Sequence, residues 1–137
     1  MNTQQTHSLR VLIADDEIEF AETLVARLKL RNFSASMVNS GKATLAAIEQ
    51  QKPDVLVLDL KMPDLDGLEV LADLHTSDPQ LAVIILTGHG SFEAGKQGME
   101  LGAYDYIMKP VDLNVLIEKI ESAFRAVHNG HDTQGDT

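Results

Sequence analysis

Three short apolar runs constrain this chain more than anything else in it: VLIA at positions 11–14, VLVL at 55–58 and VIIL at 83–86, each ending in a polar turn. A run with no polar alternation is buried on both faces. Strands of that kind belong to parallel sheets covered by helices on either side. The segments between the runs read as those helices. In Glu17–Leu30, for instance, Ala21, Leu24, Val25 and Leu28 recur at the i, i+3, i+4, i+7 spacing of one buried face.

Extending the reading gives strands at Leu9–Ala14, Ser34–Val38, Val55–Leu58, Leu81–Leu86 and Tyr104–Ile107. Helices fall at Glu17–Leu30, Lys42–Gln51, Leu68–Thr76, Phe92–Leu101 and Leu113–Val127. Ser40, Asp66, Ser91 and Asp112 stand where N-caps are needed, and Glu69 follows Asp66 by three, as in a capping box. Five βα units predict an α/β fold with a five-stranded parallel sheet and helices on both faces. The usual five-strand solution is the flavodoxin-like order 2-1-3-4-5, with a topological switch point between strands 1 and 3.

At 137 residues and 44% hydrophobic the chain suits one domain, expected over residues 9–127. Residues 1–8 and 128–137 lack periodicity and are expected to be a disordered N-terminal tail and a flexible C-terminal tail or linker start. Net charge is −10 and no block of Lys or Arg is present, so direct nucleic-acid binding is not expected. The absence of cysteine excludes disulfides and thiolate metal sites. No run is long enough for a membrane span and no signal-like h-region is present, so the expected location is cytoplasmic, without membrane insertion.

Asp15 and Asp16 follow strand 1 and Asp59 follows strand 3, the two strands that flank the switch point. One aspartate after a strand is usually the cap of the next helix. Three in one crevice repel one another and call for a cation, and a hard dication such as Mg²⁺ takes carboxylate oxygens. Thr87 and Lys109 end strands 4 and 5. Alone, each is an ordinary hydroxyl or a solvated amine. Together they put a hydrogen-bond donor and an ammonium on the same rim, which suits a phosphoryl group, and Gly88 leaves room for its approach.

VLIADDE, VLVLDLKMPDLDG, VIILTGHGS and GAYDYIMKP, in this order, resemble the receiver domain of two-component response regulators, over about Leu9–Val127. The resemblance implies that Asp59 is the phosphoacceptor and that Asp16, Asp59 and the main-chain carbonyl of Lys61 bind Mg²⁺, with Asp15 reaching it through water. Lys109 and Thr87 would contact the phosphoryl oxygens. Tyr106 would be the switch aromatic, exchanging places with Thr87 to remodel the face made by helix 4, strand 5 and helix 5. Gly95 and Gly98 within helix 4 each cost about 1 kcal/mol relative to Ala, which suits an element that shifts. Pro63 and Gly67 shape the loop after Asp59. Pro110 matches a proline that follows a cis bond in the family, although an arbitrary X-Pro bond is normally trans.

The implied partners are a sensor histidine kinase or histidine phosphotransfer protein and a downstream protein target, with a phosphorylation-dependent homodimer also admitted. The implied activity is self-phosphorylation and slow autodephosphorylation rather than conventional enzymology. Lys61 and His89 occupy rim positions that influence phosphoryl lifetime in the family, and Met37, Met99 and Met108 read as core filler. Two other classes fit less well. A haloacid-dehalogenase-like phosphatase needs a carboxyl group where Lys61 stands, and a flavodoxin phosphate loop would be repelled by DDEIEF. A pseudo-receiver used for docking, or a receiver that is part of a longer regulator, remain as alternatives.

Overall fold

The three central strands form where the chain is apolar on both faces, and the helices where it is apolar on one. The computed structural model describes residues 8–88 and 92–136, with side chains to residue 128. The elements are β1 (Arg10–Ala14), α1 (Ile18–Leu30), β2 (Ser34–Val38), α2 (Gly41–Gln50), β3 (Val55–Asp59), α3 (Gly67–Ser77), β4 (Ala82–Thr87), α4 (Phe92–Glu100), β5 (Asp105–Met108) and α5 (Leu113–Asp136). All strand pairs are parallel, in the order β2-β1-β3-β4-β5. The sheet and its order are those expected from the sequence.

Alternate residues of each strand feed two separate cores. Val11, Ile13, Val55, Val57, Ile84 and Leu86 pack with Ala21, Leu24 and Leu28 of α1 and Leu116, Ile120 and Ala123 of α5. Leu12, Leu56, Leu58, Val83 and Ile85 pack with Ile48 of α2 and Val70, Leu71 and Leu74 of α3. Each fully buried aliphatic side chain contributes about 1.5–3 kcal/mol. Truncating one, as in Ile84→Ala, costs about 2–5 kcal/mol through lost transfer energy and the cavity left behind.

Caps set the helix ends. Ser40 accepts from Ala43 N–H and Asp66 from Leu68 N–H, and Asp112 Oδ1 accepts from the N–H groups of Asn114 and Val115. No bond from Glu69 back to Asp66 closes a capping box among the described residues. Ser91 lies outside them, as do His89 and most of the N-terminal tail. Helix α1 ends on Asn32 at φ 73°, with Phe33 N–H bonded to Leu28 O and Asn32 N–H to Lys29 O, a Schellman motif that turns the chain into β2.

Two expectations need correction, and a third is met. Helix α5 runs to Asp136, past the expected end at Val127. Loss of apolar periodicity ends the core-facing part of a helix, but adding a residue to an existing helix needs no new nucleus. Met99 and Met108 are 39% and 41% exposed and so are not core filler, whereas Met37 packs on the first core. The Lys109–Pro110 bond is cis, as the family resemblance implies and against the preference of an arbitrary X-Pro bond for trans.

Candidate functional site

The strand register brings the acidic residues together. Ala14 lies between Val38 of β2 and Leu58 of β3, so Asp15 and Asp59 emerge side by side at the carboxyl ends of adjacent strands. Oxygens of Asp15, Asp16 and Asp59 all lie within 4.8 Å of one another. Asp15 and Asp59 are buried and Asp16 is exposed. Asp15 Oδ1 accepts from Glu17 N–H at 2.8 Å, and Asp59 Oδ1 accepts from Lys61 N–H at 3.0 Å. Each loop therefore turns tightly around its own carboxylate.

Lys109 supplies the countercharge. Its Nζ lies 2.8 Å from Asp15 Oδ2, 2.5 Å from Glu17 Oε1 and 3.7 Å from Asp59 Oδ2. It also sits 4.6 Å from the centroid of the Phe20 ring, within cation–π range. Burial acts to lower the Lys109 pKa, but hydrogen bonds and charges from Asp15, Glu17 and Asp59 outweigh it and the net direction is upward. Burial pushes the Asp15 pKa up, and the opposing pull of Lys109 and of Glu17 N–H does not cancel it. Asp15 Oδ2 lies at ion-pair distance from the Lys109 ammonium, which is its one polar partner among the described residues. A carboxylate oxygen can accept more than one contact, so Asp15 Oδ2 keeps unused acceptor capacity.

Asp16, Glu17, Phe20, Asp59, Lys61, Gly88, Lys109 and Pro110 line one crevice of about 1000 Å³ at this end of the sheet. Among the described residues, a Cβ on Gly88 would meet nothing within 4 Å. Thr87 is buried and does not line the crevice. Its hydroxyl donates to Ile107 O at a long 3.4 Å, a weak bond that is cheap to exchange. Tyr106 is half-buried, its ring 3.1 Å from where a Gly95 Cβ would be.

Gly67 is required for packing: a Cβ there would lie 2.5 Å from Leu60 Cα and O. Gly95 and Gly98 are likewise buried against other elements, so close approach accounts for them better than looseness of the helix. The sequence reading missed Glu17, Asn39 and Asp64. Asn39 Nδ2 donates to Asp15 O, and Asp64 bonds to the start of α2. Of these only Glu17 carried a signal, its adjacency to the acidic pair.

Comparison with known proteins agrees with this geometry. The family model of the response regulator receiver domain matches residues 11–121. The chain belongs to the response regulator receiver family. Response regulator MprA of Mycobacterium leprae (strain TN) is 35% identical over 117 residues, covering 85% of this chain and 51% of that protein. The transcriptional regulatory protein ZraR of Escherichia coli (strain K12) is 30% identical over 125 residues, 90% of this chain and 28% of that one. The chain thus spans about half or less of the curated relatives it matches. Among solved structures, a CheY-like receiver domain protein from Methanospirillum hungatei JF-1 superimposes with TM-score 0.84 at 29% identity, covering 90% of this chain and 99% of that one. NtrX from Brucella abortus gives TM-score 0.87 at 26% identity, covering 96% of this receiver and 30% of that chain.

Proposed function

We propose that this receiver accepts a phosphoryl group on Asp59 from a phosphohistidine of a sensor kinase or phosphotransfer protein. The observation that carries the reading is the placement of Asp59: buried, at the switch point, within 4.8 Å of two further carboxylates and 3.7 Å from the Lys109 ammonium. A carboxylate oxygen of Asp59 attacks phosphorus, the P–N bond breaks, and the imidazole leaves with its electron pair. Phosphoryl transfer depends mostly on alignment and charge neutralisation. Lys109 pairs with one phosphoryl oxygen, and Thr87, on releasing Ile107 O, donates to another.

The donor set fits Mg²⁺: three carboxylates, oxygen ligands only, and a buried Asp15 oxygen with unused acceptor capacity. Asp16, Asp59 and the Lys61 carbonyl would hold it, with Asp15 acting through water. When bound, the ion offsets the carboxylate repulsion and the charge developing on the phosphoryl oxygens. Movement of Thr87 makes room for the Tyr106 ring to leave Gly95, coupling the site to α4, β5 and α5. Phe92 and Met99 on α4, Met108 on β5 and Val115 on α5 are exposed there and suit a protein target or a second receiver. No helix among the described residues is long and apolar enough to cross a membrane. We take the cytoplasm as the place of action because that is where a histidine kinase presents its phosphodonor.

The test is intact mass after incubation with acetyl phosphate or phosphoramidate and Mg²⁺, for wild type and Asp59→Asn. A Mg²⁺-dependent gain of about 80 Da in the wild type alone supports the mechanism. A folded wild type that gains nothing from either donor would instead be a docking pseudo-receiver.

A further inference from the structure

The turn between β2 and α2 is bonded to both loops that carry the acidic trio. On one side, Asp15 N–H donates to Val38 O at 3.1 Å and Asn39 Nδ2 donates to Asp15 O at 2.9 Å. Both main-chain polar groups of Asp15 are thereby held by the residues that close β2. On the other side, Asp64 in the β3–α3 loop turns its carboxylate onto the start of α2. Its Oδ1 accepts from Gly41 N–H at 2.8 Å and its Oδ2 from Lys42 N–H at 2.9 Å. Two N–H groups that a helix start leaves free are thus satisfied by a residue 22 and 23 positions away. Leu65 closes the same contact, because a Cβ on Gly41 would lie 2.8 Å from Leu65 Cβ and Cδ1. Ser40 and Thr44 order the turn internally, through Ala43 N–H and Ser40 O, without bonding either loop.

From this bridging we infer that Asn39 and Asp64 are positioning residues: through the β2–α2 turn they fix the spacing between the Asp15–Asp16 loop and the Asp59–Lys61 loop, and so set the affinity of the trio for a divalent cation. The inference rests on the reading of the trio as a Mg²⁺ site. Groups that orient metal ligands without touching the metal commonly change affinity by about 10–100-fold. Asn39→Ala and Asp64→Ala are each expected to weaken Mg²⁺ binding about tenfold. Asp64→Asn keeps one acceptor oxygen and recovers part of that loss. Because both residues act through one turn, the double variant loses less than the product of the two effects.

The experiment is calorimetric titration of the full chain with MgCl₂, alongside thermal melts, for wild type, these variants and Ser40→Ala. Ser40→Ala removes a helix cap that bonds neither loop, so it is expected to lower Tm with wild-type Mg²⁺ affinity. Wild-type affinity in either Asn39→Ala or Asp64→Ala overturns the inference while leaving the metal site intact. So does an affinity that simply follows Tm across all variants, Ser40→Ala included. A wild type that takes up no Mg²⁺ removes the site reading itself, and the inference with it.

Discussion

Glu17 holds the Lys109 ammonium at 2.5 Å from its Oε1, across a sequence separation of 92 residues. The proposed phosphoryl group needs that same ammonium, so Glu17 competes for it and also adds negative charge where an anionic donor must enter. Glu17 is largely exposed, and exposed ion pairs are worth about 0–1 kcal/mol. Glu17→Gln is therefore expected to leave Tm nearly unchanged. Its phosphorylation by acetyl phosphate should be about threefold to fivefold faster, the rate equivalent of roughly 1 kcal/mol between unit charges about 4 Å apart in water. A slower reaction at unchanged Mg²⁺ affinity would mean that Glu17 aims Lys109 instead of competing for it.

Asp15 is buried with its pKa raised chiefly by burial, so its ionised form is held at a cost near neutral pH. Asp15→Asn keeps the shape and removes the charge, while Lys109 retains Glu17 and the nearby Asp59. The metal-free variant is expected to be more stable than wild type at pH 7, by on the order of 1 kcal/mol. Its Mg²⁺ affinity should fall. Denaturant melts with EDTA and then with excess Mg²⁺ check both parts, and a variant less stable than wild type in EDTA would show that Lys109 fully compensates Asp15.

The sheet was legible because VLIA, VLVL and VIIL are apolar on both faces, a pattern few other folds accommodate, and the trio because its members end adjacent strands. Strand β5 was placed one residue early: DYIM is an edge strand with a half-polar pattern and little burial to fix its ends. Helix α5 outlasts its apolar stripe for the reason given above. The links Glu17–Lys109, Asn39–Asp15 and Asp64–Gly41 were not legible. Each joins polar groups of separate βα loops, and no periodicity reports which loop will fold against which. The α4 glycines were noticed for their helix penalty, while their packing role depends on Ile85 and Tyr106, which only the assembled sheet brings near.

Those two glycines should respond differently to alanine. A Cβ at Gly98 would lie 2.0 Å from Ile85 Cδ1, and Ile85 is fully buried with nowhere to retreat. Overpacking of this kind costs about 1–3 kcal/mol and exceeds the roughly 1 kcal/mol gained in helix propensity. Gly98→Ala should lower stability or lift α4 from β4. At Gly95 the new methyl would meet the Tyr106 ring at 3.1–3.2 Å and Thr87 Cγ2 at 3.4 Å, contacts that a half-buried ring can relieve by moving outward. Gly95→Ala should therefore be close to neutral in stability and shift the Tyr106 ring resonances in the NMR spectrum. Equal losses for the two substitutions would contradict the packing argument.

Acid stability combines two opposite trends. Asp64 is pulled below its ordinary pKa by the Lys42 and Gly41 N–H groups, and Asp78 by its hydrogen bond from Lys52, with Ser77 adding to it. For such depressed carboxylates the folded state gains stability above the unfolded pKa, about 4, and loses it as pH falls through the lower folded values. Asp15 behaves in reverse. Its folded pKa lies above the unfolded one, so its penalty is fully present above the folded value and is relieved as pH falls toward about 4. The Tm of the metal-free protein is therefore expected to rise on moderate acidification from pH 7 and to drop below about pH 4. Asp15→Asn should abolish the rise and keep the drop, whereas Asp64→Asn combined with Asp78→Asn should keep the rise and soften the drop. Melts in EDTA from pH 3 to 8 test this, and an Asp15→Asn protein that still gains Tm on acidification would assign the rise to other groups. Excess Mg²⁺ is expected to reverse the rise in the wild type, because protons and the dication then compete for the same carboxylates.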